Sequence, residues 1–327
     1  MGLNLTLAFI ISFIVTAGFG YFLVPMLRRM KAGQTIREDG PVWHKNKQGT
    51  PTMGGIMFIT GVTVACLAIG YRDIIDGDYS HVISLLLALI FAAIGFLDDF
   101  KKLKKKQNMG LNSWQKFLLQ LVVAVGFLLL LRYNGALTTN LYIPFINTSF
   151  AVPAPVYYVF AAFVIIGTVN AVNITDGVDG LATGVSIPVA ACFTLIAYYH
   201  YYGSAGILAA ALLGALPAFL IFNFHPAKAF MGDTGSMFLG GLICALAFAM
   251  DIPLILIPLG IVFLLETMSD IIQVTYFKLT HGKRIFKMAP IHHHFEMCGW
   301  SEYKLFIVFT SVSVVFAALS FYGVYYK

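Results

Sequence analysis

Apolar runs with little or no charge recur from one end of the chain to the other. They lie near residues 3–27, 53–70, 80–97, 114–131, 155–173, 180–200, 206–223, 235–250, 253–277 and 304–325. A helix needs about 20 mostly apolar residues to cross the hydrocarbon core of a bilayer, and these runs are of that order. The stretch 180–227 has no Asp, Glu, Lys or Arg but is too long for one crossing; His200, Tyr201, Tyr202, Gly203 and Ser204 supply the break. The pattern predicts an all-α integral membrane protein with about ten transmembrane helices, forming a single polytopic domain over 1–327. The first run is longer than a secretory signal and lacks a basic leader, so no cleavable signal peptide is expected.

The placement of charge orients these spans. Eighteen of the 21 Lys and Arg residues fall in 28–52, 98–116, 174–179, 224–234 and 278–304; only Arg72, Arg132 and Lys327 lie elsewhere. Cytoplasmic loops carry the excess of Lys and Arg, so those segments are expected in the cytoplasm and both termini outside. The net charge of +6 is then a topology signal, and no nucleic-acid partner is expected. On the opposite face, 133–154 reads as a short extended hairpin without chemistry.

Composition removes the alternatives. Apolar residues make up 59% of the chain and charged ones 11%, against about 25% charged in a soluble domain. A soluble globular fold, a disordered chain, a collagen and a disulfide scaffold are excluded. The four cysteines show neither redox nor zinc spacing.

The unusual residues gather in the basic segments. Asp98 and Asp99 end the third span and run into FKKLKKK. Adjacent carboxylates at a membrane boundary need partners, either those lysines or a metal. The lysine run serves as a topology signal or as a seat for an anionic headgroup. In NAVNITDGVDGLATG, Asn170, Asn173, Asp176 and Asp179 recur every three residues, which on a helix places all four on one face. Gly177 and Gly180 follow the aspartates and let a ligand approach the backbone. In FNFHPAKAFMGDTGSM, Asp233 opens the eighth span, as an N-cap or as an oxygen ligand for a hard cation such as magnesium. Before the last span, HGKRIFKMAPIHHHFE holds His292, His293 and His294, with Glu266, Asp270 and Gln273 upstream. Consecutive histidines on a helix cannot share one zinc, so imidazoles donating to phosphate or carbonyl oxygens fit better. No P-loop, HExxH, GxSxG or GxGxxG pattern occurs. Carboxylates, lysines, histidines and glycine turns on one face suit magnesium-assisted phosphoryl transfer to a membrane-bound acceptor.

The blocks GTPTMGG, DDFKK, NAVNITDGVDGLA, FNFHPAKAFMGDTGS and IHHHFE together resemble the phospho-N-acetylmuramoyl-pentapeptide-transferases of the polyprenyl-phosphate N-acetylhexosamine-1-phosphate transferase superfamily. The resemblance spans essentially the whole chain. It implies ten helices, Mg2+ as cofactor, residence in the bacterial inner (plasma) membrane, and transfer from UDP-N-acetylmuramoyl-pentapeptide to undecaprenyl phosphate, giving lipid I and UMP; a homodimer is compatible with it. By the same resemblance, Asp98, Asp99 and Asp233 match the family's essential aspartates, Asp233 as the metal ligand and Asp98 as the base proposed for the lipid phosphate. Lys47, Asn173, Asp176, Gly177, Asp179, Asn223, Phe230 and Gln273 match positions lining the nucleoside and phosphate pocket, and Asn170 lies in the same block. His292 and His293 match histidines facing the donor phosphates, with His292 counted as catalytic and His294 supporting the loop. Lys102 and Lys106 match lysines near the reaction centre. A related transferase using another UDP-N-acetylhexosamine is the nearest rival. A secondary transporter would place polar groups near the bilayer midplane, whereas here almost every aspartate lies at a span end.

Overall fold

The computed structural model describes residues 1–30, 47, 49–105 and 110–327. Lys106 lies outside the described residues. Helices α1 (Gly2–Arg29), α2 (Ile56–Ile75), α3 (Ser80–Lys105) and α4 (Ser113–Tyr133) precede an antiparallel hairpin, β1 (Asn140–Ile143) and β2 (Thr148–Ala151). There follow α5 (Ala154–Thr175), α6 (Leu181–Tyr199), α7 (Gly203–Asn223) and α8 (Gly232–Ala249), and then the short α9 (Leu256–Leu259), α10 (Ile261–Leu279), α11 (Ile291–Met297) and α12 (Glu302–Val324). Among the described residues, nine helices are long and apolar enough to cross a membrane, or ten if the bent pair 253–259 and 261–279 is one crossing. The chain is an all-α integral membrane protein.

That pair departs from the straight span predicted over 253–277. Its two pieces meet at 79°. Pro258 cannot donate a helix hydrogen bond, and Gly260 donates to Leu256 while accepting from Leu264, so the axis turns there without orphaning the backbone. The hairpin expected in 133–154 is present, with Asn140 opposite Ala151 and Ile143 opposite Thr148.

Small residues decide which helices are central. In α8, 83% of the most apolar window is buried inside the protein, against 22% in α12 and 28% in α4, whose remaining surface meets lipid. Without water to drive helices together, packing depends on close backbone approach. A Cβ on Gly240 would lie 2.7 Å from the Val169 backbone of α5, and one on Gly241 2.9 Å from the Phe91 ring of α3. At the end of the same interface, a Cβ on Gly95 would collide with the carbonyl of Asp233. Glycine at 95 therefore lets the last turns of α3 press against the first turn of α8, bringing Asp98 and Asp99 to Asp233.

Candidate active site

Asp233 lies in the first turn of α8 and is the hub of a polar centre. Its Oδ2 accepts from Lys102 Nζ at 2.9 Å and Lys116 Nζ at 3.2 Å, and its Oδ1 from Asn173 Nδ2 at 2.9 Å. Lys102 also pairs with Asp98 at 2.6 Å, one turn back on α3. Asp98 accepts the Leu111 N–H at 2.6 Å as well, and a Cβ on Gly110 would collide with that carboxylate. Asn173 extends the network to Ser236 Oγ at 2.7 Å. The side chains of Lys102 and Asp233 keep 26% and 18% of their surface exposed, so the centre is open to a ligand.

Asp99, next in sequence to Asp98, has a different task. Its carboxylate accepts from the N–H of Asp233 at 3.2 Å, the N–H of Thr234 at 2.9 Å and the Thr234 hydroxyl at 2.7 Å. It caps the α8 N-terminus from a neighbouring helix, satisfying donors that the helix itself leaves unpaired. Of the two readings open for Asp233, cap or ligand, the capping role falls to Asp99. That frees the Asp233 side chain.

The three-residue period from Asn170 to Asp179 does not share one face. Helix α5 ends at Thr175, and Gly180 takes a left-handed φ of 74° before α6 begins. Asn170 lies deeper in the bundle, where Gln120 of α4 accepts from its amide at 2.8 Å; among the described residues no hydrogen bond links it to Asp233. Asn173 alone of the four bonds to Asp233. Asp176, the α5 C-cap, donates its N–H to the Asn173 carbonyl, and its carboxylate has no hydrogen-bond partner among the described residues. Burial, then the carboxylates of Asp233, Asp99 and Asp179, push its carboxyl well above the usual carboxylate range. Asp179 is turned to the other side of the loop.

There Asp179 joins a second cluster. It accepts from Lys47 Nζ at 2.8 Å, from the Ala227 N–H at 3.0 Å, and meets His225 Nδ1 at 3.0 Å. Glu302, at the start of α12, accepts from Lys47 at 2.7 Å and from the Asp179 N–H at 3.2 Å. Burial opposes the Lys47 charge, but Asp179 and Glu302 outweigh it and hold the ammonium above its ordinary pKa of 10.5. Asp179, His225 and Glu302 each offer a ligand atom within 4.8 Å of the others; the Lys47 ammonium already supplies the cation there. The first centre is the better metal candidate. Fully ionised, Asp98, Asp99, Asp176 and Asp233 exceed Lys102 and Lys116 by two negative charges; burial first, and then the neighbouring carboxylates, raise the Asp176 carboxyl. An all-oxygen set of this kind fits a hard divalent cation.

Other predicted positions hold the scaffold around these centres. Asn223 is buried, accepting from Thr183 at 2.7 Å and donating to the Ala229 carbonyl at 3.1 Å. The Phe230 backbone ties the 224–231 loop to Pro51 and Gly54. The Gln273 amide is consumed by Ile285 and Phe286, which fixes the loop leaving α10. His294 accepts the Lys287 N–H at 3.1 Å. His293 bonds Glu296 at 2.6 Å and packs on His292, ring centres 4.1 Å apart. His292 meets Glu266 Oε2 through Nδ1 at 2.8 Å, and its Nε2 abuts Gly177, where a Cβ would collide with it. Contacts thus join residues from all five segments that the charge pattern groups on one side of the membrane.

Sequence reasoning missed Lys116, Ser236, His225 and Glu302 as members of these networks. The available signal was a lone lysine one turn inside a span, in SWQKFLLQ, since a charge there is expensive unless paired. The others look like ordinary cap and loop residues.

A polytopic helical bundle with a carboxylate–lysine centre at one end is the class defined by fold and site. The pattern for Glycosyl transferase family 4 matches residues 81–251, and phospho-N-acetylmuramoyl-pentapeptide-transferase signature 1 matches 47–59. The chain is 46% identical to the phospho-N-acetylmuramoyl-pentapeptide-transferase of Halalkalibacterium halodurans over 97% of both chains. It is 44% identical to that of Clostridium botulinum over 96% of this chain and 94% of the relative. With the Listeria monocytogenes protein it shares 43% over 95% of each. The chain belongs to the phospho-N-acetylmuramoyl-pentapeptide-transferase family.

Proposed function

We propose that this chain transfers phospho-N-acetylmuramoyl-pentapeptide from its UDP donor to undecaprenyl phosphate, releasing UMP and forming lipid I for peptidoglycan synthesis. The observation that carries the reading is near-full-length family identity combined with an open Asp233–Lys102–Lys116 centre at the end of a membrane bundle. We place the basic end in the cytoplasm, at a bacterial plasma membrane; the Lys and Arg distribution supports that orientation.

Both substrates are anionic phosphates, so their approach is repulsive. Lys102 and Lys116, held beside Asp233, offset that repulsion and remain within reach of phosphate oxygens. Asp233 and Asp176 would hold Mg2+, which when bound supplies positive charge to the transferring phosphoryl group and the UMP leaving group. A lipid phosphate oxygen attacks the phosphorus attached to the sugar; that P–O bond forms as the bond to the UMP oxygen breaks. A phosphate monoester has its second pKa near about 6, so the nucleophile is mostly dianionic at neutral pH and needs little base assistance. Asp98 is bonded to Lys102 and to the Leu111 N–H, which suits a residue that positions a lysine. Asp99 is saturated by the α8 N-terminus, which disfavours it as the nucleophile of a two-step aspartyl-phosphate route.

The test is UMP release from UDP-N-acetylmuramoyl-pentapeptide with undecaprenyl phosphate and Mg2+, run beside UDP-N-acetylglucosamine. Release from the first donor alone is expected. A folded sample that releases none overturns the reading, and preference for the second donor assigns a related transferase. EDTA is expected to stop turnover and Mg2+ to restore it.

A further inference from the structure

Resting on the transferase reading, we propose that Glu266 is a positioning residue: it holds His292 with Nδ1–H turned away from the ligand and Nε2 presented at the Asp176–Gly177 turn. Glu266 on α10 is 0% exposed and His292 on α11 1%. One carboxylate oxygen meets both the His292 Nδ1, at 2.8 Å, and the His292 N–H, at 3.4 Å. A carboxylate oxygen accepts only, so Nδ1 is the protonated nitrogen. The remaining nitrogen, Nε2, is buried and has no hydrogen-bond partner among the described residues. It faces the Gly177 backbone so closely that a Cβ there would collide with it. Beside Gly177 stands Asp176, at the edge of the Asp233 centre.

A buried polar atom without a partner is uncommon and calls for a reason. An acidic side chain inside a membrane bundle is costly as well, and Glu266 Oε1 is itself unpaired among the described residues. Both features are accounted for when the pair is built around a ligand and not around the fold. Carboxylate-held imidazoles of this kind are oriented through one nitrogen so that the other acts. Presented this way, Nε2 accepts a proton or, on the charged ring, donates to a phosphate oxygen of the donor. The glycine at 177 is the clearance that lets the ring reach the turn.

The experiment measures steady-state UMP release by detergent-solubilised full-length protein, with folding checked by thermal unfolding of each variant. Glu266→Leu is expected to lower kcat about 100-fold, the scale of losing one positioned proton-transfer or hydrogen-bonding group, with the donor KM changed less than about threefold. Glu266→Gln keeps an acceptor for Nδ1–H and is expected to retain turnover within about tenfold of wild type. Combining Glu266→Leu with His292→Ala is expected to lower kcat no further than His292→Ala alone, since residues acting as one unit are not additive. Gly177→Ala, which crowds the ring from the other side, should cost as much as Glu266→Leu. Full activity of Glu266→Leu, a glutamine variant as poor as leucine, or multiplying losses in the double variant would each overturn the proposal. Where leucine does not fold, the glutamine and Gly177→Ala variants decide. The 15N shifts of His292 in histidine-labelled protein give a readout independent of turnover: Nδ1 protonated in wild type and Glu266→Gln, and a mixed tautomer in Glu266→Leu. Wild type that releases no UMP defeats the transferase reading instead, and the shifts still test the positioning.

Discussion

Two clusters of carboxylates and lysines sit at the same end of the bundle, built from like parts and in opposite conditions. Around Asp179, every acceptor is used: Lys47, His225 and a backbone N–H converge on a carboxylate with 3% of its side chain exposed. Around Asp233, the lysines are partly exposed, and among the described residues the neighbouring Asp176 carboxylate has no hydrogen-bond partner. The first cluster resembles a clasp, tying Lys47 and the 224–231 loop to α12. The second keeps polar groups exposed and is the centre to which the proposed function assigns the phosphates. Similar distances therefore do not imply similar roles; saturation of the hydrogen bonds separates them.

The largest effect expected from this contrast is on turnover. Asp233→Asn should lower kcat about 1,000-fold, the upper scale for one electrostatic contact to developing charge, while leaving the thermal midpoint nearly unchanged; an active variant would merge the two clusters into one class. Asp179→Ala should do the reverse to the fold, destabilising it by about 3 kcal/mol because Lys47 and His225 lose a buried partner, as read by thermal unfolding. Next comes Asp99→Ala, expected to weaken the start of α8 by about 1–2 kcal/mol through loss of its cap; stability equal to wild type would return Asp99 to the reaction. Asp98→Asn, assayed well above about pH 6, where the phosphate is already dianionic, should keep a larger share of activity than Asp233→Asn.

The smallest effect is a pH slope. The raised Asp176 carboxyl binds its proton more tightly in the folded protein than in the unfolded chain. Its contribution to stability is thus fully present below the ordinary value of 3.8 and is lost as pH rises toward the folded pKa. Asp176→Asn should remove that fall and slightly raise the unfolding midpoint at neutral pH without divalent cation. Lys47 has the opposite setting. Its ion-pair contribution is fully present below 10.5 and fades only as pH passes the raised folded value, so titration between pH 6 and 9 should leave the Asp179 clasp closed.

Length and polarity along the chain were enough to find the crossings, because a span is recognised from a local run of apolar residues and its flanking charges. The same local reasoning singled out Asp98 and Asp99 as costly to leave unpartnered at a membrane boundary, Asp233 as a cap or cation ligand, and the histidine loop as a set of donors to phosphate or carbonyl oxygens. It failed where partners come from afar. Asn170 and Asn173 look equivalent in sequence, yet one bonds Gln120 and the other Asp233, because α5 presents them at different depths to different neighbours. Asp98 and Asp99 look interchangeable, yet successive residues on a helix point about 100° apart, so one meets Lys102 and the other the α8 N-terminus. The amino-acid sequence by itself determined the helical membrane class and the grouping of carboxylates, lysines and histidines at the span ends, since hydrophobic length and charge asymmetry need no tertiary information. Only the tertiary structure decided which acids cap, which clasp and which stay open. Those roles follow from interhelical approach distances, set at points such as Gly95 against Asp233, and no single segment encodes both sides of such a contact.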